Sequence, residues 1–211
     1  METGGADTLA DLLAEASRGR FPAPDTGPTI LPQPSPRDAG VIAFTAHNVI
    51  FADVEASWIH RRLPDGDLSA PLGPRFLGAL EGRLGRRLDN IDMLALAGPL
   101  PGRPQIALTE VSATGHPRAG RARLYRDDVR TWTCPGGLLV IGRGVAGRWE
   151  VAVEIDPEHR GRGLGRALAC AARQLTPHPL WAQIAPGNAA SVRTFLAAGY
   201  VPVGAEALFS P

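Results

Sequence analysis

The chain contains no lysine, and all 22 of its basic residues are arginine. That absence excludes Schiff-base catalysis by the chain and any phosphate loop that depends on a lysine. Cysteine is nearly as scarce: Cys134 and Cys170 are too few for a disulfide framework and cannot hold a metal by themselves. Cys170 falls in an apolar helical run, where a buried free thiol is expected. No apolar stretch reaches the roughly 20 residues of a membrane span. The acidic N-terminus lacks a basic and apolar signal tract, so the expected compartment is the cytoplasm. An excess of charge is missing too. A net charge of +1 points to neither nucleic acid nor an acidic membrane surface as partner.

What is present is a soluble globular composition, 44% apolar and 20% charged, over 211 residues, enough for one domain with an appendage. Residues 1–40 read as that appendage. Asp7 or Thr8 can cap a short helix carrying Leu9, Leu12, Leu13 and Ala16 and ending at Gly19. Beyond it Pro22, Pro24, Pro28, Pro32, Pro34 and Pro36 predict a flexible, extended tail. Residues 41–211 read as the folded domain. Within it the spacing predicts a strand over 41–51, helices over 54–63 and 74–84, and a buried strand over 91–97. Residues 121–134 read as a strand with a bulge, and 138–144 with 148–155 as an antiparallel hairpin. A helix over 163–175, a strand over 180–185, a helix from Asn188 to Leu196 and a strand over 200–209 follow. The fold class is α/β, a mixed, mostly antiparallel central sheet flanked by helices.

Two glycine motifs compete for a phosphate-bearing ligand. Gly142-Arg143-Gly144-Val145-Ala146-Gly147 matches the dinucleotide pattern and would suit a nicotinamide oxidoreductase. That pattern needs a helix directly after the turn, and residues 148–155 alternate as a strand instead. The second motif, Arg160-Gly161-Arg162-Gly163-Leu164-Gly165, lies between a strand ending at Ile155 and a helix with Leu168, Ala171, Ala172 and Leu175 on one face. Free N–H groups and the macrodipole at such a helix start form an anion site.

With those residues in hand, the segment resembles the acyl-CoA motif of the GNAT (GCN5-related) N-acetyltransferase superfamily, (Gln/Arg)-x-x-Gly-x-(Gly/Ala), here preceded by Pro157-Glu158-His159. Asn188-Ala189-Ala190-Ser191 followed by Gly199-Tyr200 is similar to the family's second segment. The resemblance implies an acyl-CoA N-acyltransferase fold, acetyl-CoA as co-substrate and a small-molecule or peptide amine as acceptor, and it admits a homodimer. Residues 41–135 would form the acceptor side and 136–211 the acyl-CoA side. Backbone groups of Val153, Glu154 and Ile155 would meet the pantetheine arm. Arg160, Gly161, Arg162, Gly163, Leu164, Gly165 and Arg166 would surround the pyrophosphate, and Asn188 would face the cofactor or cap its helix. The resemblance implies no metal.

One position departs from the family, which often has a tyrosine general acid where Phe195 stands; Phe195 would pack against the cofactor instead. The resemblance also implies a glutamate base on the strand before the turn, and Glu150 and Glu154 are the candidates. Strict alternation puts both opposite Val151, Val153 and Ile155, and a bulge would change that register. His47 reads as a satisfied core group, and His159 and His178 as surface residues in turns. Trp58, Trp132, Trp149 and Trp181 read as core. A non-catalytic acyl-CoA-binding domain is the alternative to the enzyme.

Overall fold

The protein is described by a computed structural model over residues 8–112 and 115–210. The described residues fall into two compact units, one within Met1–Met93 plus Val203–Pro211, the other within Leu94–Pro202. Each is a mixed α/β unit with a mostly antiparallel sheet and flanking helices.

In the first unit Thr8 accepts a hydrogen bond from the Asp11 amide (3.2 Å) and caps α1 (Leu9–Ala16). Leu9, Leu12, Leu13 and Ala16, spaced at three and four residues, are all buried. β1 (Pro28–Leu31) pairs in parallel with β3 (His47–Phe51), which forms a hairpin with β2 (Gly40–Phe44). The expected flexible tail is therefore corrected. Asp25 binds the His47 ring, and Arg86 donates to the Pro36 carbonyl at 2.7 Å, so the proline segment is tied down at both ends. Proline removed N–H donors without removing apolar anchors, and the anchors decide. Asp7, the other cap considered, lies outside the described residues.

Helix α2 (Ala56–His60) is shorter than expected, whereas α3 (Pro74–Leu84) matches its expected span. Pro74 presets the first turn of α3 and Gly85, at φ 63°, ends it. Phe76, Leu77 and Leu80 pack with Val41, Ile50, Ile59, Ala207 and Phe209. Strand order in this unit is β1-β3-β2-β10-β4, with β4 spanning Arg87–Ala97 and β10 Val201–Ser210.

In the second unit the order is β4-β9-β8-β7-β6-β5. These strands are β5 (Thr109–Glu110), β6 (Asp127–Cys134), β7 (Gly137–Arg143), β8 (Trp149–Ile155) and β9 (Leu180–Ile184). The helices are α4 (Pro117–Tyr125), α5 (Leu164–Gln174) and α6 (Ala189–Ala197). The expected strand over 121–134 is half helix. Pro117 at the first position, the His116 ring accepting from the Arg118 amide and an alanine-arginine run start α4 instead. The bulge is real: the β6–β7 register shifts between Asp127 and Arg130. The first glycine string, 142–147, joins β7 to β8 through a short 3-10 turn, with no helix directly after it, so the nicotinamide reading loses its geometry.

Candidate acyl-CoA site

The site starts where β8 ends. Asp156 donates its amide to the Gly136 carbonyl (3.0 Å), the His159 amide donates to the Asp156 carbonyl (2.9 Å), and Pro157–His159 form one 3-10 turn. Gly161 and Gly163 then take φ values of 73° and 82°, in the left-handed region that side chains resist. A Cβ at either position would meet no protein atom within 4 Å, so the space beside both glycines is open. Helix α5 begins directly afterwards with no side-chain cap, and its first internal bond runs from the Ala167 amide to the Gly163 carbonyl. The amides of Leu164, Gly165 and Arg166 are the orphan donors of that helix start. Arg160, Arg162 and Arg166 are exposed around them, Arg160 with its Nε on the Ile155 carbonyl at 3.2 Å. Such a concentration of donors and positive charge, with no side chain in the way, suits a pyrophosphate.

Strand β8 offers the second part. It pairs with β7 along its length, from Gly137↔Ile155 to Arg143↔Trp149. On its other edge it pairs with β9 in parallel through Glu150↔Trp181, the only register pair between them among the described residues. Val153 and Ile155 are only half-buried. The edge of β8 that leads to the glycine turn is therefore available to an extended ligand.

Helix α6 frames the other side. The Asn188 side chain accepts from the Ser191 amide (3.1 Å) and acts as an N-cap. Gly165, the last glycine of the motif, faces Thr194: a Cβ there would lie 3.1 Å from Thr194 Cγ2. Its role is close packing of α5 on α6. Phe195 is buried and meets Tyr200 edge to face, with ring centroids 4.9 Å apart. The Tyr200 hydroxyl donates to the Ala169 carbonyl, and burial raises its pKa above the ordinary tyrosine range. The Tyr200 hydroxyl, held on that carbonyl in the core, is not the counterpart of the hydroxyl that Phe195 lacks.

The two carboxylates singled out on β8 are both engaged. The strand is continuous in register with β7, so no bulge turns them, and they share one face as alternation requires. Glu150 is 3% exposed and lies between Arg126 Nε and Arg148 Nε, each at 2.8 Å, while the Val145 amide donates to Oε1 (3.3 Å). Burial alone would raise its pKa, but the Arg148 and Arg126 guanidiniums outweigh that and hold it below the ordinary glutamate value. A Cβ on Gly144 would fall 2.3 Å from the Glu150 carboxyl carbon, so this glycine makes room for the carboxylate and not for a ligand phosphate. Glu154 is half-exposed and paired with Arg118 of α4 at 2.5 Å. The arginine partners escaped sequence reasoning. Arg148 was legible, since residues two apart on a strand share a face; Arg126 comes from the C-cap of α4 and left no local signal.

The remaining candidates divide between core and surface, with Trp58 half-buried. His47 is buried between Asp25 (2.8 Å) and Thr29 (2.9 Å). Trp132 and Trp181 are buried, and the half-buried Trp149 stacks on the exposed His178 ring. Among the described residues no cluster of His, Cys, Asp and Glu could hold a metal, and no helix is long and apolar enough to cross a membrane.

A glycine turn on an uncapped helix start, at the end of a strand that keeps a single register pair with β9, is a geometry suited to an anion. Residues 117–200, wholly inside the second unit, match the acetyltransferase (GNAT) family. Among solved structures the chain is similar to a GCN5-related N-acetyltransferase from Kribbella flavida. That pair is 19% identical, covers 64% of this chain and 63% of the other, and has a TM-score of 0.42. It is also similar to an acetyltransferase of the GNAT family from Colwellia psychrerythraea, at 10% identity, 82% and 81% coverage and a TM-score of 0.45. The chain thus spans less than two thirds of the length of the Kribbella protein. No curated protein matches the chain.

Proposed function

We propose that the protein transfers an acyl group, acetyl in the first instance, from the thioester of acetyl-CoA directly to an amine of a small molecule or peptide. The observation that carries this is the uncapped start of α5 behind Gly161 and Gly163. The amides from Gly161 to Arg166 would hold the pyrophosphate, with Arg160, Arg162 and Arg166 adding positive charge. The backbone of Val153 to Ile155 would pair with the pantetheine arm, and a strand N–H would polarise the thioester carbonyl. Asn188 keeps α6 in place against that arm, and Phe195 packs beneath it.

In the reaction the amine nitrogen bonds to the carbonyl carbon, the carbon–sulfur bond breaks, and the thiolate leaves. A thiol of pKa near ~8.5 leaves readily, so the missing tyrosine acid at Phe195 costs little. An ammonium substrate must first give a proton to solvent to free its lone pair, and the proton shed as the amide forms ends on the departing thiolate. Glu150, buried between two arginines, is a structural carboxylate in this reading, and Glu154 is the β8 carboxylate that solvent reaches. Catalysis comes mainly from holding donor and acceptor together.

A second reading, a non-catalytic acyl-CoA-binding unit, is favoured by the pairing of both carboxylates and by Phe195. Calorimetric titration with acetyl-CoA separates the readings. Wild type should bind, and Gly163→Val, which puts a β-branched side chain at φ 82°, should weaken binding by about tenfold or more. No binding by wild type would remove both readings. Binding without CoA release across a panel of amines would leave the second.

A further inference from the structure

The turn that carries the proposed pyrophosphate site is fastened at a point outside its own glycines. His159, expected at the surface, is half-buried, with its ring over Gly136 in the connection between β6 and β7. A Cβ on Gly136 would lie 2.1 Å from His159 Cγ, 2.4 Å from Nδ1 and 2.5 Å from Cδ2. Three ring atoms at nearly equal distance mean that the imidazole lies flat on that backbone, a contact that any side chain at 136 would abolish. Gly136 also has φ 78°. The His159 Nδ1 atom is buried and has no hydrogen-bond partner among the described residues. Its value here is therefore the shape of the ring and not a polar bond. The Asp156 amide on the Gly136 carbonyl gives the same two segments a second point of attachment. Gly161 follows His159 by two residues, and the glycines themselves supply no side-chain contacts that would fix the loop.

We propose that His159 is a positioning residue for the anion site: seated on Gly136, its ring fixes the 157–163 turn to the β6–β7 connection and keeps the amides of 161–166 converging on one point. The consequence for acyl-CoA rests on the function proposed above, whereas the fastening itself does not. Binding to a preorganised loop avoids the ordering cost that a loose loop would exact on each association.

The test compares wild type with His159→Ala, His159→Phe and Gly136→Ala, using coenzyme A in calorimetry and amide hydrogen exchange over residues 160–166 in the free protein. His159→Ala should weaken coenzyme A by about tenfold, equivalent to ~1.4 kcal/mol, and KM for acetyl-CoA should rise in step. The kcat at saturating donor should stay within about twofold, a split that general destabilisation would not give. His159→Phe keeps a flat ring and should stay within about threefold of wild type. Gly136→Ala should behave like His159→Ala without touching the histidine, and serves if His159→Ala does not fold. In both impaired variants the 160–166 amides should exchange faster than in wild type. Unchanged affinity and exchange in His159→Ala, or a phenylalanine variant as impaired as the alanine one, would overturn the proposal. Failure of wild type to bind coenzyme A would remove the acyl-CoA reading, and the exchange comparison would still decide the role of His159.

Discussion

Glu150 is the residue whose surroundings most constrain its chemistry. Two guanidiniums and one backbone amide converge on a carboxylate that solvent hardly reaches. A general base must take up a proton near the working pH, and Glu150 is held in the opposite direction, below the ordinary glutamate value, by Arg148 and Arg126 against its burial. A depressed carboxyl pKa contributes stability that is present above the unfolded value of about 4.3 and is lost as pH falls through the folded value. Glu150→Gln should therefore show less loss of stability between neutral and acid pH than wild type, measured as urea midpoints across the range. Glu150→Ala leaves both arginines without their shared partner and should cost roughly 3–5 kcal/mol at neutral pH. Retention of full stability by the alanine variant would mean that the cluster is not the anchor described. At this scale the sequence marked Glu150 and Glu154 by strand and register correctly, and missed what faces them. Local spacing reveals that Arg148 shares a face with Glu150. It carries no trace of Arg126 or Arg118, which a helix invisible to alternation brings across.

Among the elements, those with strong punctuation were legible. The β7–β8 hairpin, α3, α5, the Asn188-capped α6 and β9 all lie within a residue or two of where turn chemistry and periodicity put them. The failures share a cause. Helix α4 is arginine-rich with a weak apolar stripe, so only Pro117 and the His116 cap announce it. The proline segment was read by what proline forbids, while Leu9, Leu12 and Leu13 supplied burial enough to hold α1. The β7–β8 connection holds a residue at odds with its conformation: Ala146 has φ 50° and ψ 28°, a left-handed geometry that penalises a Cβ. Ala146→Gly should stabilise the protein by about 0.5–1 kcal/mol, the relief of that penalty less the added freedom of the unfolded chain. A fall in the thermal midpoint would show that the turn is not under that strain.

For the molecule as a whole, the family match lies within the second unit, over residues 117–200, where the donor side of the proposed reaction lies, and the acceptor has no motif. The absence of lysine has a practical use here. A chain without ε-amines cannot acetylate itself on lysine, so any acetyl-lysine signal in a peptide assay belongs to the acceptor. The first unit has a different dependence. Its strand β1 occupies the outer edge of the order β1-β3-β2-β10-β4, paired to β3 through Pro28↔Asn48 to Leu31↔Phe51. All five residues of β3, His47-Asn48-Val49-Ile50-Phe51, are buried. A chain trimmed before residue 40 would present that strand with an open row of amides and carbonyls, a template for pairing with other chains. The trimmed protein should appear as large aggregates by light scattering where the full chain gives a defined species. A trimmed protein that stays dispersed would mean β3 needs no cover. On that expectation the proline-rich segment serves as an edge cover, with β1 laid along β3 in place of a neighbouring chain.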